Sequence, residues 1–133
     1  MLIKIALEDR VEQVDVPEHE ILEFPEGLIG FEDCTRFALF NLDVPFLLLQ
    51  SIADPYLGFV LINPLLIDPE YRVAVGDSVH RALRLQDGES PSFLAIVCLS
   101  TDGSPATANL RAPIAINPSS RIGMQLVLQD SDY

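Results

Sequence analysis

The sequence predicts an all-β fold, a small antiparallel β-barrel or barrel-like sandwich with one short helix. Three observations carry that expectation. The apolar runs are short and each is closed by Pro, Gly, Asn or Asp, which suits strands better than helices. Only one segment places apolar residues at helical spacing beside a capping residue. No internal repeat or low-complexity stretch points to a solenoid or a linker. Closing the sheet would also remove the exposed edges that many short strands leave behind.

The elements follow in order. Residues 2–7 read as a first strand, and the charged turn Glu8-Asp9-Arg10 leads to Val11, Val14 and Val16. Their spacing has one irregular step, read as a bulge. Pro17 ends that strand. Residues 21–24 form the next one and stop at Pro25. Gly27 and Gly30 punctuate the loop that follows, because glycine adopts positive φ at no steric cost. Residues 35–40, 46–51 and 58–62 read as strands, with turns at Asp54-Pro55 and Asn63-Pro64. Residues 71–75 are expected as a short strand. Asp77 or Ser78 can cap a helix with Val79, Ala82 and Leu83 on one face, ending near Leu85. Residues 92–99 are the most continuous apolar run and the expected central strand. A polar loop spans 101–105. Residues 107–112 and 114–117 are strands parted by Pro113, which lacks a donor and belongs at an edge or a bend. Residues 122–129 are the last strand.

With 133 residues the chain is one domain, 1–133, large enough for its own core. Twenty acids against eight bases give a net charge of −12. Such a surface repels phosphate, so direct nucleic-acid binding and anionic membranes are disfavoured. No run approaches a membrane span and no secretory signal is visible, so the cytoplasm is the expected location. Residues 1–33 hold ten of the acids and two of the bases. That segment is either a solvated face or a docking face for a cationic partner.

Catalytic and metal-binding patterns are absent. Cys34 and Cys98 are read as free thiols, with Cys98 a small core residue. His19 lies between acids and His80 among arginines, neither near a second metal ligand. No glycine-rich phosphate loop and no nucleophile motif occur, and the adjacent acids Glu32-Asp33 are loop acids rather than a facing pair. No metal or cofactor is expected. Phe24, Phe31 and Phe37 are core aromatics or part of a partner groove. Asn109 can satisfy backbone groups at an irregular strand. Arg111 can pair with Asp54 or Asp130, or touch a partner.

Three stretches together resemble the flagellar assembly factor FliW family: residues 21–33 (ILEFPEGLIGFED), residues 50–64 (QSIADPYLGFVLINP) and residues 108–117 (ANLRAPIAIN), running on to Asp130-Ser131-Asp132-Tyr133. The likeness covers essentially the whole chain. It departs at Leu7-Glu8-Asp9-Arg10, where the family has an aromatic-Gly step, and at Asn63, where Asp is common. The family also continues past the DSDY motif, so contacts of such a tail are expected to be missing. The resemblance implies a cytoplasmic, non-enzymatic β-barrel, monomeric on its own, that binds flagellin and the RNA-binding translational repressor CsrA. Binding the repressor would free flagellin messenger RNA, and accumulating flagellin would take the factor back. Glu26, Glu32, Asp33, Phe24, Phe31 and Arg111 are the expected protein-binding residues, the acids meeting the repressor. Flagellin's amphipathic helical ends call for an apolar groove. A small-ligand carrier barrel and a carboxylate-dependent hydrolase are the alternatives.

Overall fold

Short apolar stretches between tight turns give two sheets in the computed structural model, which describes residues 1–100 and 102–129. β1 (Leu2–Ala6) and β2 (Val11–Asp15) form an antiparallel hairpin. The other strands close a barrel in chain order: β3 (Ile21–Glu23), β4 (Arg36–Asn41), β5 (Leu47–Ser51), β6 (Gly58–Ile62), β7 (Ser92–Cys98), β8 (Thr107–Asn117) and β9 (Ile122–Gln125). Neighbours pair antiparallel except at the seam, where Glu23 of β3 lies parallel to Ile122 of β9. One α-helix is present among the described residues, α1 (Asp77–Ala82).

Alternation along the strands sorts the side chains. Leu22, Phe37, Leu49, Leu61 and Ile114 point inward and, with Phe24 and Leu28, fill the barrel. Phe24 and Phe37 meet edge to face at 5.2 Å. A barrel of this size has room for side chains and little else. The outward apolar residues need covers of their own. The hairpin brings Ile3 and Val16 onto Ile21 and Ala38. The end of α1 brings Leu83 and Leu85 onto Ala115 and Ile122.

Several local expectations are corrected. β1 and β2 pair without interruption from Leu2↔Asp15 to Ala6↔Val11, so there is no bulge. Val14 and Val16 face the barrel, and Val11 falls on the opposite, exposed face. The irregularity lies in β8 instead. Residues 110–113 stand opposite Ala95 alone, between the pairs Leu94↔Ile114 and Ile96↔Asn109. β8 is therefore one strand with Pro113 at its bend, as a residue without a donor requires. Asn109 Oδ1 accepts from the amides of Arg111 and Ala112, both at 3.2 Å, which is the backbone role expected of it. The Tyr71 hydroxyl donates to the Leu110 carbonyl at 2.6 Å. Residues 71–75 have no strand structure: Tyr71 N donates to Asp68 O in a local turn and the Tyr71 hydroxyl goes to the bulge.

The α1 cap is Gly76, with no side-chain cap from Asp77 or Ser78. Ala82 is exposed, whereas Leu83 is buried. The helix end is satisfied from below: Asn117 Nδ2 donates to Leu83 O at 2.8 Å and Ser120 Oγ to the same carbonyl at 2.9 Å. The last strand is shorter than expected. β9 faces the β8 bend after Gln125, so only Leu126 and Leu128 still donate to β8, at Pro113 O and Arg111 O. Both cysteines are free, but Cys98 is exposed where β7 ends, not in the core. Asp54 and Asn63 are turn residues, accepting from the amides of Tyr56 and Leu65. The motif 130–133 lies outside the described residues.

Candidate functional site

The loop between β3 and β4 carries most of the expected contact residues. Gly27 shapes its first bend at φ +66. A Cβ there would lie 2.5 Å from Phe31 O and 2.6 Å from Glu32 Cα, so the position admits only hydrogen. Gly30, at φ +86, occupies the left-handed corner of the tight turn between Leu28 and Phe31. Phe31 N donates to Leu28 O at 2.7 Å, Gly27 N to Phe24 O at 2.8 Å and Cys34 N to Phe31 O at 3.1 Å. Leu28 plugs the loop into the barrel.

The loop is also tied outward. Ile29 N donates to Gln125 Oε1 at 2.9 Å, and Gln125 Nε2 donates to Ala112 O at 3.1 Å. Gly30 N donates to Glu32 Oε1 at 3.2 Å. The ring of Phe31 stands edge-on to Phe59 at 5.4 Å. Pro25 and Glu26 border a small hollow of about 200 Å³ with Ala82, Ile122, Gly123 and Met124.

Glu26, Glu32, Asp33 and Phe31 are all exposed on this loop, with Ile29 between them. Among the described residues no cation pairs with Glu26, Glu32 or Asp33; the ion pairs found join Arg10 to Asp9 and Glu12, Arg36 to Glu23, and the amino terminus to Asp15. The structure thus presents unneutralised carboxylates and two apolar side chains on a rigid frame. Phe24 is corrected from contact residue to anchor: it is 0% exposed and lies under the loop. Arg111 is exposed on β8, beside the Ala112 carbonyl that Gln125 holds. It makes no ion pair with Asp54 among the described residues, and Asp130 lies outside them.

Sequence reasoning did not locate a second feature. Phe46, Val60, Ile62, Ile67, Val97 and Leu99 line an open groove of about 780 Å³ on the outer face of β6 and β7. The signal was present: residues 58–62 and 93–99 are apolar at consecutive positions, which supplies an outward as well as an inward face. No group of three or more metal-ligating side chains occurs among the described residues. No helix among them is long and apolar enough to cross a membrane.

Comparison with known proteins gives a consistent result. The profile of the FliW protein family matches residues 6–133. A flagellar assembly factor FliW from Geobacillus sp. (strain WCH70) is 36% identical over 121 residues, covering 90% of this chain and 84% of the relative. The protein of the same name from Natranaerobius thermophilus is 38% identical over 124 residues, covering 91% and 82%. That from Treponema pallidum is 38% identical over 114 residues, covering 85% and 76%. A crystal structure of the flagellar assembly factor FliW superposes with a TM-score of 0.86 at 34% identity, over 98% of this chain and 92% of that one. A shared profile along almost the full length, together with the same barrel, places this chain in the FliW family of flagellar assembly factors.

Proposed function

We propose that this chain is a non-enzymatic, cytoplasmic adaptor that binds flagellin and the translational repressor CsrA in turn. The observation that carries the reading is the family match over residues 6–133. In this reading free factor holds the repressor, flagellin messenger RNA is translated, and newly made flagellin then withdraws the factor. The factor is monomeric on its own, and it contacts neither nucleic acid nor membrane.

The loop acids suit one half of the cycle. An RNA-binding repressor presents cations to phosphate, and Glu26, Glu32 and Asp33 offer carboxylates that pair with no cation among the described residues. Complementary charge of this kind raises the association rate and is screened by salt. A bound protein of net charge −12 also repels RNA from the neighbourhood. A ligand-carrier or hydrolase reading meets a barrel interior already occupied by Phe24, Phe37, Leu49 and Leu61.

The test is biolayer interferometry with immobilised protein against purified flagellin and purified CsrA. Both should bind, and flagellin should displace CsrA. The triple variant Glu26→Lys, Glu32→Lys, Asp33→Lys should slow CsrA association and flatten its salt dependence. Unchanged kinetics in that variant would remove the loop acids from the interface.

A further inference from the structure

The barrel has three outward apolar faces, and the described residues cover two of them. The hairpin covers Ile21 and Ala38, and the α1 end covers Ala115 and Ile122. The third, on β6 and β7, stays open as the groove lined by Phe46, Val60, Ile62 and Val97. Its rim is apolar and solvated: Leu99 is 75% exposed, Ile67 53% and Leu42 41%. Val44, in the adjoining turn, is 94% exposed. Apolar side chains gathered into one open groove, rather than scattered singly, are the form a docking surface takes.

Charge and topology define the occupant. Every lining residue comes from residues 37–71 or 85–110, and neither segment contains a Lys, Arg or His. Asp43 lines the groove, and Asp68 and Asp102 stand near Ile67 and Leu99 in sequence. A partner therefore needs an apolar stripe with cations beside it. The closed barrel offers no free strand edge here, so the partner lies on the sheet face rather than extending it. A second copy, also at −12, would be repelled.

We propose that this groove is a second docking surface, taking an amphipathic helix whose apolar stripe is flanked by Lys or Arg. Resting on the function proposed above, the helix belongs to flagellin, and CsrA binds elsewhere.

The first arm of the test needs neither partner. Fluorescence anisotropy follows a labelled synthetic helix of Leu and Lys at amphipathic spacing, beside one with Glu in place of Lys. The Lys peptide should bind the wild-type protein, and Ile67→Ser with Leu99→Ser should weaken it at least tenfold. Leu2→Ser, an equally exposed change on the hairpin, should leave binding unaltered. Equal binding of the Lys peptide to the groove variant, or of the Glu peptide to wild type, overturns the proposal. A wild-type dimer in sedimentation that the groove variant abolishes also overturns it.

In the second arm, the groove variant should lose flagellin and keep CsrA. Loss of CsrA, of both or of neither overturns the assignment to flagellin. If wild type binds neither protein, the function proposed above and the flagellin assignment fail, while the peptide arm still decides the groove. Both substituted side chains are half exposed or more, and circular dichroism confirms the folded state.

Discussion

Replacing Gly27 with Ala should destabilise the β3–β4 loop by an amount the geometry sets. The residue sits at φ +66, and its missing Cβ would fall 2.5 Å from Phe31 O, 2.6 Å from Glu32 Cα and 2.6 Å from Glu32 O. All three are backbone atoms, so no side chain can rotate away. Two costs add. Holding an L-residue in the left-handed region costs about 1–2 kcal/mol. Forcing main chain aside in a packed site costs about 1–3 kcal/mol more. Gly30→Ala separates them, because Gly30 has φ +86 but nothing within 4 Å of its Cβ position. With a urea slope of about 2 kcal/mol per molar, the unfolding midpoint should fall by about 1–2.5 M for Gly27→Ala. It should fall by about 0.5–1 M for Gly30→Ala. Far-UV circular dichroism gives both midpoints. Equal midpoints would refute the argument that close backbone approach at Gly27 shapes the loop.

Gly123→Ala should lower the thermal midpoint, by about 1–3 kcal/mol in stability, because its Cβ would meet the Phe24 ring, 2.7 Å from Cε2; scanning calorimetry reads it. Asn117→Ala should cost about 1–3 kcal/mol, since the side chain is 1% exposed and bonds Leu83 O and Arg84 O while accepting from Ser119 N. Hydrogen exchange should then rise at the end of α1 first. Asp102 is held well below the ordinary carboxylate value of 3.8, first by the Ser100 hydroxyl and then by Ser104. A depressed folded pKa means its stabilisation is complete above that ordinary value and is lost as pH falls through the folded one. A carbon-detected NMR titration should therefore show no Asp102 midpoint near 3.8.

The legible parts of the fold were those where local chemistry and tertiary context agree. Residues 58–62 are a short apolar run that ends at Asn63-Pro64, and β6 has those bounds. The roles of Gly27, Gly30, Asn63 and Asn109 follow from backbone chemistry that needs no distant partner. The misread parts depend on remote contacts. Residues 71–75 look like a strand, yet Tyr71 is drawn to a bulge carbonyl thirty-nine residues away. Cys98 continues an apolar run, but the barrel ends before it does. Asp77 and Ser78 are good capping types, but Gly76 takes the cap and Asn117 from β8 secures the other end. The acidic loop was readable as a motif and as a charge cluster. The groove was not, because its walls come from turns and strands scattered between Asn41 and Ala108.

The seam of the barrel decides whether the loop acids are presented at all. β3 and β9 meet in one parallel pair, with Glu23 N donating to Arg121 O at 2.8 Å. The next residue, Phe24, starts the loop, and its ring fills the space that Gly123 leaves on β9. Gln125, two residues further along β9, holds the loop's tip through Ile29 N. The closed barrel and the ordered loop thus share their contacts. A partner that grips the ordered loop binds only the closed seam, so it adds about 2.7 kcal/mol of stability at a hundred times its dissociation constant. The same linkage runs in reverse. A change such as Gly123→Ala leaves every exposed loop side chain in place, yet it should weaken partner binding by lowering the fraction of molecules in the competent form. In the function proposed above, Glu26, Glu32 and Asp33 would supply the complementarity, and a buried ring against a glycine would control its availability.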